Sequence, residues 1–562
     1  MNIRSFTLIA LCGMWIAACS KPDEGTGIPV KPTPDPVPGP GEETVVIPDY
    51  DDDYRSIAGW DYHTKWNLAN VHDPSIAYYN GYYYMFGTDA SYGNEHLKAP
   101  SGKHFPGKRS KDLVNWEYIP GAMDEVPSWV KEKLNEFRAE MGLDPIASPQ
   151  YGYWAPVIRT VNGKLRMYYC IVVDNYIKSG KATSSPFDGS WTERAFIGMR
   201  ESSDPAGGKW EDKGFVTCSS SDKGKDGWSR KSTSDWNAYF YFNAIDPSYI
   251  ITPEGKHCLI YGSWHSGFAL LELDPATGMP VKSVGAPWAD SPEGLADNGF
   301  GVRIGSRTGT SRWQGSEAPE IIYKDGYYYL FMAYDGLDVP YNTRVVRSEK
   351  IEGPYYDITG RNFTNGRGDC YPIVTHPYKF SQGYGWVGIS HCCIFQQEGT
   401  GDWFYASQGR LPDTAGGNAP NAVMMGHVRR IVWCPASAED LDNLWPVALP
   451  ERYAGLKAKT ITKDDIAGAW EHIDLKYDYA KQDGSSRLLL AKDGSMSGAL
   501  RGSWSFDEAK QYLTLSPADG KPVVAVVSRE ADWEASPRTE TLVYAGTEKD
   551  LNATWWGKKV SD

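Results

Sequence analysis

The sequence contains no Cys-x-x-Cys pair, carries less positive than negative charge, and has no long apolar run beyond its first twenty positions. Each absence removes a class of protein. Without paired-cysteine spacing there is no zinc-finger or zinc-ribbon framework. Lys+Arg number 57 against 71 Asp+Glu, for a net charge of -14, so the chain lacks the positive surface that nucleic acid needs in a partner. With no second apolar segment, the N-terminus is the only place where attachment to a membrane is expected. Cysteine itself is sparse. Of nine, two lie in the first twenty residues, and Cys170, Cys218, Cys258, Cys370, Cys392, Cys393 and Cys434 are scattered with no pairing indicated.

What is present starts with Arg4 and the apolar stretch FTLIALCGMWIAAC, too short for a spanning helix and read as a signal peptide over residues 1–19. It ends Ile16-Ala17-Ala18-Cys19, which resembles a bacterial lipobox. Cleavage would leave Cys19 as a lipid-modified N-terminus, and acyl chains worth about 0.8 kcal/mol per buried methylene would anchor the protein at the outer membrane, outside the cytoplasm. The alternative is an ordinary signal peptide with an incidental Cys. Residues 20–55, rich in Pro and Gly, form the expected tether. The remainder is too long for one core, and two domains are expected, 56–455 and 456–562. Aromatics reach 13%, with 22 Trp and 36 Tyr. Such rings suit the apolar faces of sugars, but they also populate β-rich folds, so composition leaves both readings open.

Five stretches share one pattern: HDPSIAYYNGYYYMFGT from His72, WAPVIRTVNGKLRMYYC from Trp154, IDPSYIITPEGKHCLIYGSW from Ile245, SEAPEIIYKDGYYYLFMAY from Ser316 and SHCCIFQQEGTGDWFYASQ from Ser390. Each has a short apolar strand, a turn with Gly, and an aromatic-rich strand. Asn80-Gly81, Asn162-Gly163 and Asp325-Gly326 are strong hairpin signals; Glu254-Gly255 and Thr400-Gly401 are weaker ones. Recurrence at about 70 to 90 residues predicts an all-β fold, a five-bladed β-propeller with long inserted loops. One insertion, from Val126, carries Trp129, Val130, Leu134, Phe137 and Met141 at helical spacing.

Equivalent positions of propeller blades meet at the axis. Aligning the residues that open the units gives Asp73, Trp154, Asp246, Glu317 and His391. Three converging carboxylates in an aromatic-rich chain point to glycoside hydrolysis. That reaction needs one protonated acid for the leaving oxygen and one carboxylate to activate water or attack carbon. A third carboxylate nearby keeps the acid protonated. Any single Asp before Pro also reads as a turn initiator.

The segments VHDPSI, RSKDLVNW, YWAP, NAIDPSYI and SEAP, in that order, resemble family-43 glycoside hydrolases, and the arabinanase branch in particular. The resemblance covers about residues 60 to 455 and implies an inverting, five-bladed enzyme acting on a polysaccharide, arabinan from pectin side chains. By motif, it implies Asp73 as general base, Asp246 as the residue that orients the acid and tunes its pKa, and Glu317 as general acid, in preference to Glu320. It implies substrate contacts from His72, Trp154, Asn243, Ala244 and Ile245. Ser263, Trp264 and His265 are included, although Ser-Trp-His departs from the family pattern there. It also implies a metal, commonly calcium, held near His391 largely through water. Endo-hydrolysis of α-1,5-linked arabinofuranose is the expectation. An exo-acting arabinofuranosidase or xylosidase is the alternative within the family, and a catalytically dead glycan-binding lipoprotein the alternative outside it. A monomer is expected.

After about residue 455 the blade pattern stops, and alternating runs with turns at Asp493-Gly494 and Asp519-Gly520 predict a small antiparallel β-barrel. Its expected role is to buttress the propeller; glycan binding through Trp504, Trp555 and Trp556 is the alternative.

Overall fold

The computed structural model describes residues 46–49, 68–89, 103–140, 144–173, 194–220, 240–366, 368–415, 424–457, 459–479 and 481–560. The proposed signal peptide, Cys19 and nearly all of the tether lie outside these residues. Five four-stranded antiparallel sheets follow one another along the chain. Their first strands are Ser75–Tyr79, Tyr151–Val161, Ser248–Ile251, Ser316–Lys324 and Cys393–Gln396. These inner strands lie side by side in order, and the fifth lies against the first, so the ring closes as a five-bladed propeller. Backbone bonds tighten the closure. Gly426 N donates to Leu68 O at 2.8 Å, joining the chain just before blade 1 to blade 5.

The hairpins form where the turn chemistry demands them. Asn80 and Gly81 have φ of 46° and 84°, Asn162 and Gly163 51° and 74°, and Asp325 and Gly326 49° and 90°. Two successive left-handed residues define the turn whose twist matches paired strands, and Asn, Asp and Gly adopt it most cheaply. The insertion after blade 1 is helix α1, Ser128–Glu140, which buries Val130, Leu134 and Phe137. Trp129 packs on Phe196 and Phe215 of blade 2.

Eight strands between Gly468 and Lys559 close a second unit, an antiparallel barrel. It is docked on blades 4 and 5 through a shared apolar cluster in which Ile473, Val543, Ala545 and Trp556 of the barrel meet Tyr378, Cys434 and Trp445 of the propeller. Thr554 Oγ1 donates to Ile373 O at 2.5 Å across this junction. Trp504 and Trp555 are buried in the barrel core and Trp556 in the junction, so none of the three indoles presents a sugar-binding face. The barrel's aromatic content is spent on packing.

All seven cysteines among the described residues are buried and free.

Candidate active site

One residue at the head of each inner strand has left-handed backbone: Asp73 (φ 45°), Ala155 (31°), Asp246 (57°), Ala318 (53°) and His391 (54°). This is the true repeat register. It corrects the alignment made from the sequence in two blades, where the equivalent residues are Ala155 and Ala318, not Trp154 and Glu317. In those blades a bulge, between Trp154 and Val157 and between Glu317 and Glu320, starts strand pairing earlier. For Ala the left-handed conformation costs of order 1 kcal/mol, so the ring of five is strain that the surrounding structure holds in place. These residues and those that follow them line one axial cavity. Asp73, Asp246 and His391 stand on its wall. Trp154 and Glu317 stand one residue before it.

Asp73 is the most heavily supported group. Its Oδ1 lies 2.9 Å from His391 Nδ1, its Oδ2 accepts from Thr88 Oγ1 at 2.5 Å, and its own N–H donates to Gln408 Oε1. Thr88 Oγ1 in turn accepts from Ala155 N at 2.7 Å, tying blade 1 to blade 2 behind the carboxylate. Burial alone would raise the carboxyl's pKa, but the His391 and His72 charges and the Thr88 bond bring it down to about 2. The reciprocal effect raises His391 to about 9 against its own burial, through Asp73, Asp246 and Glu317.

Asp246 differs. It is buried, its Oδ2 accepts from Ala318 N at 3.1 Å, and burial with the Glu317 and Asp73 charges lifts it to about 7 although His391 opposes the rise. Glu317 is only half-buried. Its Oε1 accepts from Tyr341 OH at 2.6 Å and its Oε2 from Ser263 Oγ at 3.1 Å. Burial and the charge of Asp73 raise it too, against His391, Tyr341 and Ser263. The site therefore holds one carboxylate ionised well into acid and two whose pKa is raised, Asp246 to about 7. A coupled pair of this kind is best described by the proton it shares.

Glu320 is engaged elsewhere. Arg159 Nη2 pairs with its Oε1 at 2.8 Å, Ser248 Oγ donates to Oε2 at 2.6 Å, and Ile394 N donates to Oε1 at 3.1 Å. It staples four inner strands around the axis, and three donors already engage its carboxylate.

The expected substrate contacts divide by exposure. Trp154 is 38% exposed beside the carboxylates, and Trp264 is half-buried with its N–H on Ser316 O. Asn243, Ala244, Ile245 and His265 are buried. Asn243 spends its amide on Ser263 O and Ser219 Oγ, and His265 Nδ1 lies 2.9 Å from Ser263 O. Their side chains shape the segment under Ser263; they are not presented at its surface. His72 is buried as well, with its carbonyl accepting from Thr88 N. Ser263 meets the acid itself. Thr88, Tyr341 and Gln408 were not singled out from the sequence. Thr88 and Gln408 close the quoted stretches of blades 1 and 5, the ends opposite the residues that were aligned, and Tyr341 lies outside the stretches.

The axis offers His391 as its imidazole, already facing Asp73. Among the described residues, the group of three close acidic side chains able to hold a metal is Glu451, Asp532 and Glu534, at the junction with the barrel. Lys558 Nζ sits among them, 3.1, 2.9 and 2.5 Å from the three carboxylates. An ammonium thus takes the place a cation would fill.

The chain as a whole matches a known family. The family model described as glycosyl hydrolases family 43 matches residues 68–425, and one described as a C-terminal lipocalin-like domain matches 450–557. The chain is 27% identical over 521 residues to the extracellular endo-alpha-(1->5)-L-arabinanase of Thermotoga petrophila, covering 88% of this chain and 94% of that one. It is 26% identical to extracellular endo-alpha-(1->5)-L-arabinanase 2 of Bacillus subtilis, covering 87% and 93%. The solved structure of the endo-1,5-alpha-L-arabinanase from Thermotoga petrophila RKU-1 superposes with a TM-score of 0.63 at 25% identity, over 88% of this chain and 99% of that one. With the family model spanning well over half of its length, the chain belongs to glycosyl hydrolases family 43.

Proposed function

We propose that the protein hydrolyses α-1,5-linked arabinofuranose within arabinan by inversion. Asp73 takes a proton from the attacking water, and Glu317 gives one to the glycosidic oxygen. Asp246 acts on Glu317 through its charge and through the Ala318 N–H. The observation that carries this reading is the separation of protonation states around one axis. Asp73, at about 2, is ionised wherever the enzyme works, while burial and like charge keep Glu317 protonated to higher pH. Exposure supports this division of roles: Asp73 and Glu317 are half-buried, and Asp246 is buried. Trp154 is the proposed sugar-stacking face. Relatives matching 88% and 87% of the chain are named endo-acting. An exo-acting relative, from Cellvibrio japonicus, matches 59% of the chain, so endo action is favoured.

Glu317→Gln should remove hydrolysis of linear arabinan while leaving binding intact. Product sizing by chromatography and affinity electrophoresis on arabinan measure both. A near wild-type rate would sink the assignment, and monomer as the sole early product would replace endo with exo action. A wild type that binds arabinan without cleaving it would mark a pure binding protein.

Calcium is proposed in a restricted form. An ion at the axis would take the neutral His391 ring and water, and its binding would release a proton below about pH 9. Elemental analysis and proton release on titration with calcium test this. Placement outside the cytoplasm follows the relatives named extracellular. The lipid anchor at Cys19, the domain limits at 56–455 and 456–562, and the monomeric state are proposals from the sequence.

A further inference from the structure

We propose that Tyr477, on the C-terminal barrel, positions the general acid from a distance. This rests on the reading of Glu317 given above. Tyr477 follows the first barrel strand, and its hydroxyl donates to Asp335 Oδ2 at 2.6 Å, 142 positions away in the chain. Asp335 is buried and left-handed (φ 69°), at the end of the blade 4 strand that pairs with the one carrying Glu317.

Asp335 gathers both supports of the acid. Its N–H donates to Gly315 O at 2.9 Å, and its Oδ1 accepts from Arg307 Nη1 at 2.8 Å. The same guanidinium nitrogen donates to Gly315 O at 2.6 Å. Gly315 lies two residues before Glu317. It has φ 56°, and a Cβ there would come within 2.9 Å of the Trp313 ring and 3.1 Å of Arg307, so the backbone is pinned from both sides. Asp335 also opens the loop that carries Tyr341, the phenol bonded to Glu317 Oε1. Asn342, which closes that loop, donates to Pro340 O at 2.7 Å and to Asp335 Oδ2 at 3.4 Å. The backbone before the acid and the loop that clamps its carboxylate thus meet at one aspartate, and the barrel supplies that aspartate's remaining strong donor.

The barrel segment is fixed against blades 4 and 5 independently. Asp483–Gly484 pairs in parallel with Tyr378–Lys379, His376 Nδ1 lies 2.9 Å from Asp483 Oδ2, and Arg344 lies over the Tyr477 ring at 5.0 Å. Removing the hydroxyl alone therefore leaves the docking in place and loosens the acid.

The test compares Tyr477→Phe with wild type on two substrates. Linear arabinan has an alkoxide leaving group that needs Glu317's proton. Dinitrophenyl α-1,5-arabinotrioside has a phenolate that leaves without one. The expected result is a loss of about tenfold in kcat on arabinan, with KM little changed and the aryl rate retained. The ratio of the two rates cancels any loss of folded enzyme, so a partly unfolded variant still separates the outcomes. Equal rates on both substrates, or equal losses on both, would overturn the proposal. Wild-type inactivity on arabinan would instead overturn the reading of function on which it rests.

Discussion

His391→Asn should displace the whole pH profile toward alkali. In the metal-free wild type, burial pushes Asp73 up, and the adjacent imidazolium, together with the His72 charge and the Thr88 bond, brings it to about 2. Asp246 shows what burial and neighbouring carboxylates do in the same cavity without a directly paired cation: it sits at about 7. Removing the imidazolium should carry Asp73 from about 2 toward that value. The sign follows directly. A base with a lowered pKa works at acid pH, and raising that pKa removes activity from the acid side. At pH 6 a group titrating near 7 is about one-tenth ionised, so kcat/KM there should fall about tenfold and return to within about twofold at pH 8. His391 also favours the ionised forms of Asp246 and Glu317. Its loss raises both, so the alkaline limb moves the same way. Initial rates on linear arabinan by reducing-end assay, over about pH 4.5 to 9.5 with and without chelator, show whether an acid limb enters this range in the variant and whether the alkaline limb moves; a thermal melt checks folding. A uniform loss with unmoved limbs would refute the reasoning, because His391 would then act by something other than its charge.

Two further changes test the groups assigned to structure. Glu320→Gln strips Arg159 of its buried partner and should cost about 3–5 kcal/mol of stability while leaving the rate per folded molecule close to wild type. Denaturant melts paired with active-enzyme titration separate the two, and a lost rate at unchanged stability would restore Glu320 as the acid. Lys558→Met leaves Glu451, Asp532 and Glu534 without their ammonium and should destabilise by about 3–5 kcal/mol near neutrality. The deficit should shrink as acid protonates the carboxylates. Melts at neutral and acid pH check it, and an unchanged melting temperature would mean that the lysine is not what balances the cluster.

The parts of the fold that were legible in the sequence are those whose cause is local. Asn80-Gly81 and Asp325-Gly326 specify a turn because each needs two left-handed residues, and hairpins formed there. The recurrence of Asp-Pro-Ser marked two axial carboxylates because the same backbone motif opens blades 1 and 3. The register slipped in blades 2 and 4 because Ala155 and Ala318 carry no chemistry to catch the eye. Alignment on the following prolines, Pro156 and Pro319, would have corrected it. Thr88, Tyr341 and Tyr477 were invisible for a different reason. Their partners, Asp73, Glu317 and Asp335, lie 15, 24 and 142 positions away; Thr88 faces Asp73 through the register of the blade 1 hairpin, while tertiary packing brings the other two together. Trp504, Trp555 and Trp556 were ambiguous because an indole in a β-barrel packs inward or faces a ligand with equal ease, and composition cannot choose between the two.

The slipped register explains why the three carboxylates are not alike. In blades 1 and 3 the left-handed residue is the aspartate itself, so its short side chain leaves the backbone at the cavity wall, where His391 or the Ala318 N–H can hold it. In blade 4 that position is an alanine. The carboxylate sits one residue back, beyond a bulge, on a side chain one methylene longer. Glu317 is thereby released from the wall and left half-buried, anchored by hydroxyls from Tyr341 and Ser263 that permit either protonation state. The alanine is used too, since its N–H is the donor that Asp246 accepts. One repeat, offset by one residue in one blade, thus supplies a base fixed beside a cation, an acid free to reach, and a third carboxylate that grips the acid's own backbone.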